Sequence, residues 1–247
     1  MISICILTKN AALTIQKTLE STLSFPEVLL LDNGSTDKTL ELAKQYPNVK
    51  IFETPFSGFG PLRNEAASLA QNDWILALDS DEILSPKLTD ELQTLSLQST
   101  SIYSISRLNF YNNRQIKGCG WHPERVIRLY HRSNTSYCNS AVHESVLKKN
   151  LKVMHLKNPI LHTPYRTTSD FLSKMQHYST LFAEQNRNKK KSSFTKALIH
   201  GAFAFFRSYF LKRGFIDGKE GFLISLYNAN TSFYKYIKLK ELNDQKI

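Results

Sequence analysis

Residues 74–82 read Trp-Ile-Leu-Ala-Leu-Asp-Ser-Asp-Glu (WILALDSDE): five apolar residues, then four polar ones of which three are acidic. A run this short suits a strand buried on both faces better than a helix. The same pattern occurs twice upstream. Ile2–Leu7 (ISICIL) breaks into Thr8-Lys9-Asn10, and Val28–Leu31 (VLLL) breaks into Asp32-Asn33-Gly34-Ser35-Thr36-Asp37. Val49–Phe52 is a further short apolar run. Helical patterns lie between them. Ile15, Leu19 and Leu23 repeat at helical spacing within Ala12–Ser24 and stop before Pro26. Ser35 or Thr36 can cap a second helix, with Asp37 in its first turn and Pro47 at its end. A third runs from Leu62 to about Ala70, and Ser85-Pro86 opens a fourth with a cap and a first-turn proline.

Strand and helix alternating at this spacing predict right-handed parallel βαβ units, hence an α/β domain with an open, mostly parallel sheet flanked by helices. Ligands of such sheets bind beyond the carboxyl ends of the strands. The polar residues sit at those ends: Thr8 and Asn10, then Asp32, then Asp79 and Asp81. They are expected to share one rim. No GxGxxG follows the first strand and no GxxxxGK[ST] occurs anywhere, which excludes the usual dinucleotide and phosphate-loop readings. Two aspartates one residue apart after a strand can instead hold a hard divalent ion that neutralises a diphosphate. In a chain with nine Asp, a DxD arises by chance too easily to stand alone, so the strand before it and the second acidic strand end at Asp32 carry the weight.

The remaining composition divides the chain. Residues 1–147 hold 13 basic and 15 acidic side chains, net −2; residues 148–247 hold 19 and 6, net +13, and 16 of the 28 aromatic residues. The whole +11 therefore lies in the last hundred residues. A boundary at 160 is expected, with a catalytic domain over 1–160 and a basic, aromatic, helical extension over 161–247. Phe171, Met175, Tyr178 and Phe182 form one stripe of a helix from Thr167 to about Asn186. After an exposed basic link (RNKKKS, 187–192), Ala197–Leu211 carries Leu198, Ala202, Phe205 and Tyr209 on one stripe, and Ile199, Phe203, Phe206 and Phe210 beside it. Phe222, Leu226, Phe233 and Ile237 mark a last helix. Wide aromatic faces edged by Arg207, Lys212 and Arg213 suit an anionic membrane interface, or simply pack on the domain. No run reaches the roughly 18 apolar residues of a membrane span, and no leader pattern opens the chain. Cys5, Cys119 and Cys138 lack metal or disulfide spacing, so a reduced cytoplasmic setting is expected.

The ordered segments ILTKN (6–10), LLLDNGSTDKT (29–39), GFGPLRNEAASLAQNDWILALDSDE (58–82) and AVHESV (141–146) resemble the family 2 inverting glycosyltransferases of GT-A (Rossmann-like) fold. Within that family the chain is most similar to the bacterial group containing lipopolysaccharide core β-1,4-glucosyltransferases, and RSYFLKRGFIDGKEGFLISLYNANTSFYKYIKLKE (207–241) extends the likeness. The resemblance implies a UDP-sugar donor, a lipid-linked glycan acceptor, Mn²⁺ or Mg²⁺, and work at the inner face of the cell membrane. It implies that Thr8, Asn10, Asp32, Arg63, Asn64 and Asp79 line the nucleotide-sugar pocket, and that Asp79 and Asp81 hold the metal. The acceptor-side base falls on Glu144, with His143 as the other candidate, where many relatives carry a Glu-Asp pair. The chemistry agrees: an inverting displacement needs one positioned carboxylate for the acceptor proton, not the two of glycoside hydrolysis.

Each residue has a plainer role beside the functional one. Asp37 reads as a helix cap. Arg63 either meets the nucleotide or pairs with Glu65. Glu82 reads as support for its neighbours rather than a ligand, and His143-Glu144 is also compatible with a structural pair. His162 can approach the metal from a later loop, though nothing in its spacing demands it. Trp121 either stacks on an acceptor sugar or packs; Arg125 and Arg128 meet acceptor phosphate or solvent. A polysaccharide or protein acceptor is the alternative within the enzyme class. A basic nucleic-acid-binding protein is the reading from another class; the acidic rim argues against it. Sugar-nucleotide synthesis on a related fold expects a glycine-rich, lysine-bearing first loop, absent here.

Overall fold

The computed structural model describes residues 1–140 and 144–245. Elements follow the order β1 (Ile2–Thr8), α1 (Ile15–Glu20), β2 (Glu27–Asp32), α2 (Thr39–Ala43), β3 (Val49–Glu53), α3 (Phe59–Leu69), β4 (Trp74–Asp79), β5 (Glu82–Leu84) and α4 (Pro86–Thr94). Then come β6 (Ser101–Tyr111), β7 (Arg114–Gln115), β8 (Arg125–His131), β9 (Lys152–His155) and β10 (Ile160–His162). The helices α5 (Thr168–Asn186), α6 (Phe194–Phe206) and α7 (Gly218–Asp244) close the chain. These fall into two compact units: Met1–Arg107 with Glu124–His162, and Leu108–Pro123 with Thr163–Ile247. The expected division is 1–160 and 161–247; in these units 108–123 falls with the C-terminal helices, for which the composition gives no sign.

In the first unit the strand order begins β3-β2-β1-β4, all parallel, and continues through β8 and β6 antiparallel. The apolar runs alternate in detail. Ile4, Ile6, Leu30, Leu76 and Leu78 point into one core with Ile15 and Leu19 of α1 and Leu88 of α4. Cys5, Leu7, Leu29, Leu31, Ile75 and Ala77 point into another with Leu62, Ala66 and Ala67 of α3. Both faces are covered, so the strand positions are apolar apart from polar groups that find partners, as buried Ser3 and Glu27 do in each other. Each fully buried Leu or Ile contributes about 1.5–3 kcal/mol relative to exposure. Ser85 caps α4 by accepting from Leu88 N at 3.3 Å, with Pro86 in the first turn, as its sequence predicts.

In the second unit Thr167 caps α5 in a reciprocal box with Asp170. Phe171, Tyr111, Ile116, Cys119 and Ile224 form its core, with Trp121, Tyr165 and Tyr227 against them. The buried Asp217 carboxylate accepts from Lys117 N (3.1 Å) and Gly118 N (2.6 Å), which ties 108–123 to the turn before α7. After α6 the chain widens into a π-helical turn over Arg207–Leu211. Neither apolar stripe of α6 is buried along its length: in the first, Leu198 and Ala202 are exposed and half-buried Phe205 lies on Tyr209 (5.5 Å) and Phe222 (5.6 Å), while the buried residues of α6 are Ala197 and Gly201. The other, with Ile199, Phe203, Phe206 and Phe210, is exposed. Among the described residues no helix is long and apolar enough to cross a membrane.

Candidate active site

Register brings the polar strand ends together. Thr8 lies opposite Asp32, and Leu7 opposite Asp79. Asn10 has a left-handed backbone (φ 52°), which Asn tolerates better than most residues. Its side chain accepts from Thr36 N at 2.8 Å, and its own N–H donates to Ser35 Oγ at 2.9 Å. Asp32 is fully buried: one carboxylate oxygen accepts from Gly34 N (2.9 Å) and Ser35 N (2.7 Å), the other from the Ser35 hydroxyl. The two loops are thus knitted through Ser35 and Asn10, beside the buried Thr8 hydroxyl, which has no hydrogen-bond partner among the described residues. Ser35 and Thr36 are spent there, so neither caps α2. The cap position falls on Lys38, with no side-chain cap bond; Asp37 just before it accepts from Thr39 N and Ala12 N at 3.0 Å each, and α2 starts at Thr39. The Thr39 hydroxyl bonded to Asp37 also holds that carboxyl below its usual range.

At the end of β4 the charges are buried and interlocked. Asp79 accepts from Arg63 on one oxygen and from Arg128 Nη2 (2.6 Å) on the other. Arg63 is buried beneath it and also donates to Leu78 O at 2.6 Å. Fully buried Glu82 accepts the Asp79 N–H (3.0 Å) on one oxygen; its other oxygen takes Arg128 (2.8 Å) and Arg107 (3.0 Å). Arg107 continues to Glu124. Burial alone would raise the Asp79 pKa, but the Arg128 and Arg63 guanidiniums, then His162 and Arg107, hold the carboxyl well below the usual carboxylate range. Asp81 faces His162, whose Nε2 is 3.4 Å from Asp81 Oδ2; the antiparallel pairing of β10 with β5 places that histidine.

A cavity of about 740 Å³ opens onto this cluster, lined among others by Asp79, Arg107, Arg125, Arg128, Tyr137 and Glu144. Glu144 follows a segment held by α3. Asn64 accepts from Tyr137 N (2.9 Å) and donates to Tyr137 O (3.0 Å). At Gly60 a Cβ would stand 1.9 Å from Cys138 O, so only glycine admits the backbone at Cys138. His143, with Ala141 and Val142, lies outside the described residues. Arg125 donates to Ser104 O (3.1 Å) and Leu156 O (2.8 Å) at the cavity wall. Trp121 belongs to the second unit, stacked on Tyr165 (5.7 Å, 20°). The first unit thus gathers Asp79, Asp81, Arg63, Arg125, Arg128 and Glu144 near one strand end and cavity, with Asp32, Thr8 and Asn10 on the adjacent strands. Arg63 and Asn64 spend their polar atoms on Asp79 and on Tyr137. Arg107 had no sequence signal: a lone Arg within an alternating strand looks like any solvated side chain. A carboxylate beside a recessed, arginine-lined cavity can accept a proton from a hydroxyl while guanidiniums meet phosphate charge.

Residues 3–151 match the sequence profile of Glycosyl transferase family 2.

The chain belongs to glycosyl transferase family 2.

A glycosyltransferase of Rickettsia felis is 30% identical over 255 residues, spanning 97% of this chain and 89% of that protein. The lipopolysaccharide core biosynthesis glycosyltransferase LpsC of Rhizobium meliloti is 25% identical over 251 residues, spanning 96% and 91%. Among solved structures, S. aureus TarS 1–349 in complex with UDP-GlcNAc overlaps with a TM-score of 0.48 at 14% identity, over 97% of this chain and 90% of that one. A likeness at that level transfers neither donor nor acceptor. Family membership makes the chain a glycosyltransferase, and its α/β architecture, a mostly parallel sheet flanked by helices with a helical C-terminus, is the GT-A class that the family 2 resemblance implied.

Proposed function

We propose that this family 2 glycosyltransferase moves a hexose, glucose in the first instance, from a UDP-sugar to a lipid-linked glycan of the lipopolysaccharide core type, with inversion. The observation that carries the reading is that Asp79, at the end of β4, and Glu144, 65 positions later, line one cavity with Arg107, Arg125 and Arg128. Glu144 is the base: its carboxylate takes the acceptor hydroxyl proton as the oxygen attacks, and the nucleotide diphosphate leaves from the opposite face. Thr8, Asn10 and Asp32 flank the nucleoside, and Asp32 shapes the pocket through the loop it organises. Arg63 and Asn64 act on the donor side through what they hold. LpsC supports the acceptor class by its printed role alone.

The donor set fits a divalent ion in part. Asp81 is partly exposed beside His162, an oxygen–nitrogen pair that suits Mn²⁺, whereas both Asp79 oxygens already carry guanidiniums. Among the described residues no three metal-binding side chains converge. Mg²⁺ and similar hard ions are commonly held by one or two carboxylates and completed by substrate phosphate and water. When bound, the ion at Asp81 and Asp79 would supply charge neutralisation for the leaving diphosphate.

The test is a donor screen. The protein is incubated with Mn²⁺ or Mg²⁺ and a panel of nucleotide sugars, and nucleotide release is measured with and without a glycolipid acceptor. Release from a UDP-sugar that Asp81→Asn greatly reduces is expected. Glu144→Gln should lower transfer about 10²–10⁴-fold while donor binding survives. A Glu144→Gln enzyme that still turns over at the normal rate moves the base elsewhere.

A further inference from the structure

The second unit contains a cavity of its own, about 520 Å³, with Trp121, His200, Arg207, Lys212, Asn228 and Ser232 in its wall. Its polar side is positively charged. Among the described residues no carboxylate pairs with Arg207 or Lys212: Glu220 is met by Arg114, Asp244 by Lys240, and Asp217 by backbone N–H groups. Gly120, at φ +81°, leaves the space through which Lys212 passes; a Cβ there would lie 2.5 Å from Lys212 Nζ. His200 is set by stacking on Tyr236 (4.1 Å, 21°), and Trp121 by stacking on Tyr165. Directly beside the cationic rim, Phe203 (57% exposed), Phe206 and Phe210 (51%) face outward, with Ile199 (62%) continuing the stripe along α6. The arrangement is a cationic cup with flat aromatic walls opening onto an exposed aromatic ridge. One ligand chemistry satisfies both halves: a phosphate headgroup for the cup and acyl chains for the ridge.

We propose that this cavity binds the phosphate headgroup of an anionic membrane lipid, with the Ile199–Phe210 ridge buried in the adjoining acyl layer. The proposal names the site and ligand behind the membrane location, and rests on the lipid-linked acceptor reading for that location only. Arg207 and Lys212 donate to phosphate oxygens that water would otherwise hold. The Phe203, Phe206 and Phe210 rings leave water for hydrocarbon, which a free phosphate ion cannot reward.

Vesicle flotation of the full chain, without nucleotide sugar, tests this independently of catalysis. Phosphatidylcholine vesicles containing phosphatidic acid should recruit the protein, and pure phosphatidylcholine should not. Arg207→Gln with Lys212→Gln should weaken recruitment about tenfold or more, whereas Lys189→Gln with Lys191→Gln, an equal loss of charge on the basic link, should change it less than about twofold. The charge-keeping pair Arg207→Lys with Lys212→Arg should still bind, and all variants should unfold at the wild-type midpoint, since these side chains are exposed. Equal losses in the two glutamine pairs would reduce the effect to bulk electrostatics and overturn the site. Phe206→Ser with Phe210→Ser should also abolish recruitment; retained binding that inorganic phosphate displaces would assign the cup to a soluble phosphate and overturn the lipid. If Glu144→Gln protein floats normally, membrane binding and transfer fail or succeed separately.

Discussion

The two units use arginine in opposite ways. Around β4, Arg63, Arg107 and Arg128 are mostly buried and each is matched by a carboxylate: Asp79, Glu82 or Glu124. In the helical unit Arg207 and Lys212 are exposed and unmatched by any carboxylate among the described residues. A buried cation is tolerated only when its partners replace the water it lost, so the first set fixes geometry. An exposed cation needs no partner to be stable and is therefore free to meet a ligand. Net charge adds these cases together. The −2 of the first 147 residues hides an interlocked cluster around Asp79 and Glu82, whereas Arg207 and Lys212, within the +13 of the remainder, are exposed. Position relative to water, rather than count, separates a scaffold charge from a recognition charge.

If that distinction is right, the largest effect on stability falls where sequence charge looks least unusual. Arg128→Met leaves Glu82 and Asp79 short of a donor in a site where Glu82 has no access to water. It should cost about 3–5 kcal/mol in urea unfolding, with loss of activity. Glu82→Gln, which keeps shape and hydrogen-bonding capacity, should cost less. If Arg128→Met costs no more than a surface substitution, the buried cluster is not what orders the strand end, and the comparison collapses.

The sheet and its rim were legible because both follow from short-range patterns. VLLL and WILAL are apolar at every position and ISICIL at every position but Ser3, the mark of strands covered on both faces, and the acids that follow VLLL and WILAL fall at the carboxyl ends by chain direction alone. The partners of those acids were not legible. Arg107 and Arg128 reach Asp79 and Glu82 across strands 28 and 49 positions away from Asp79 in sequence, and a lone Arg in a strand gives no sign of burial. Helix starts slipped for the same reason: Ser35 and Thr36 are good caps locally, but Asp32 and Asn10 claim them first. The insertion 108–123 joins the helical unit through Asp217, a contact a hundred positions long. Gly60 lies between the two cases. Its GFGP setting marks a turn, while the reason for glycine is the Cys138 carbonyl 78 positions on. Gly60→Ala should push the backbone at Cys138 outward, costing about 1–3 kcal/mol and slowing transfer by disturbing the approach to Glu144. Wild-type kinetics in a stable Gly60→Ala protein would show that the close approach of the Cys138 backbone does not set the site.

Glu27 sharpens the comparison, because its partners are split between the two regimes. The carboxylate is buried at the opposite end of the sheet and accepts from Ser3 Oγ (2.5 Å), Gln71 N (2.8 Å) and Lys50 Nζ (3.1 Å), while Lys50 itself is half-exposed. Burial pushes the Glu27 pKa up, but the Ser3, Gln71 and Lys50 bonds together outweigh it and the carboxyl sits below its ordinary 4.5. The sign of the linkage follows. As pH falls, the unfolded chain takes up the proton before the folded one does, so the stabilisation is complete above about 4.5 and disappears as pH drops through the lower folded value. Glu27→Gln should therefore cost about 1–2 kcal/mol at neutral pH, and the gap to wild type should close as pH drops through the folded value below 4.5. Lys50→Met should cost less than Glu27→Gln, since water already serves most of that ammonium. Were Lys50→Met the more damaging of the two, exposure would not be what decides how much a charge pair holds the fold, and the same measure could not be used to set Arg207 and Lys212 apart from Arg63 and Arg128.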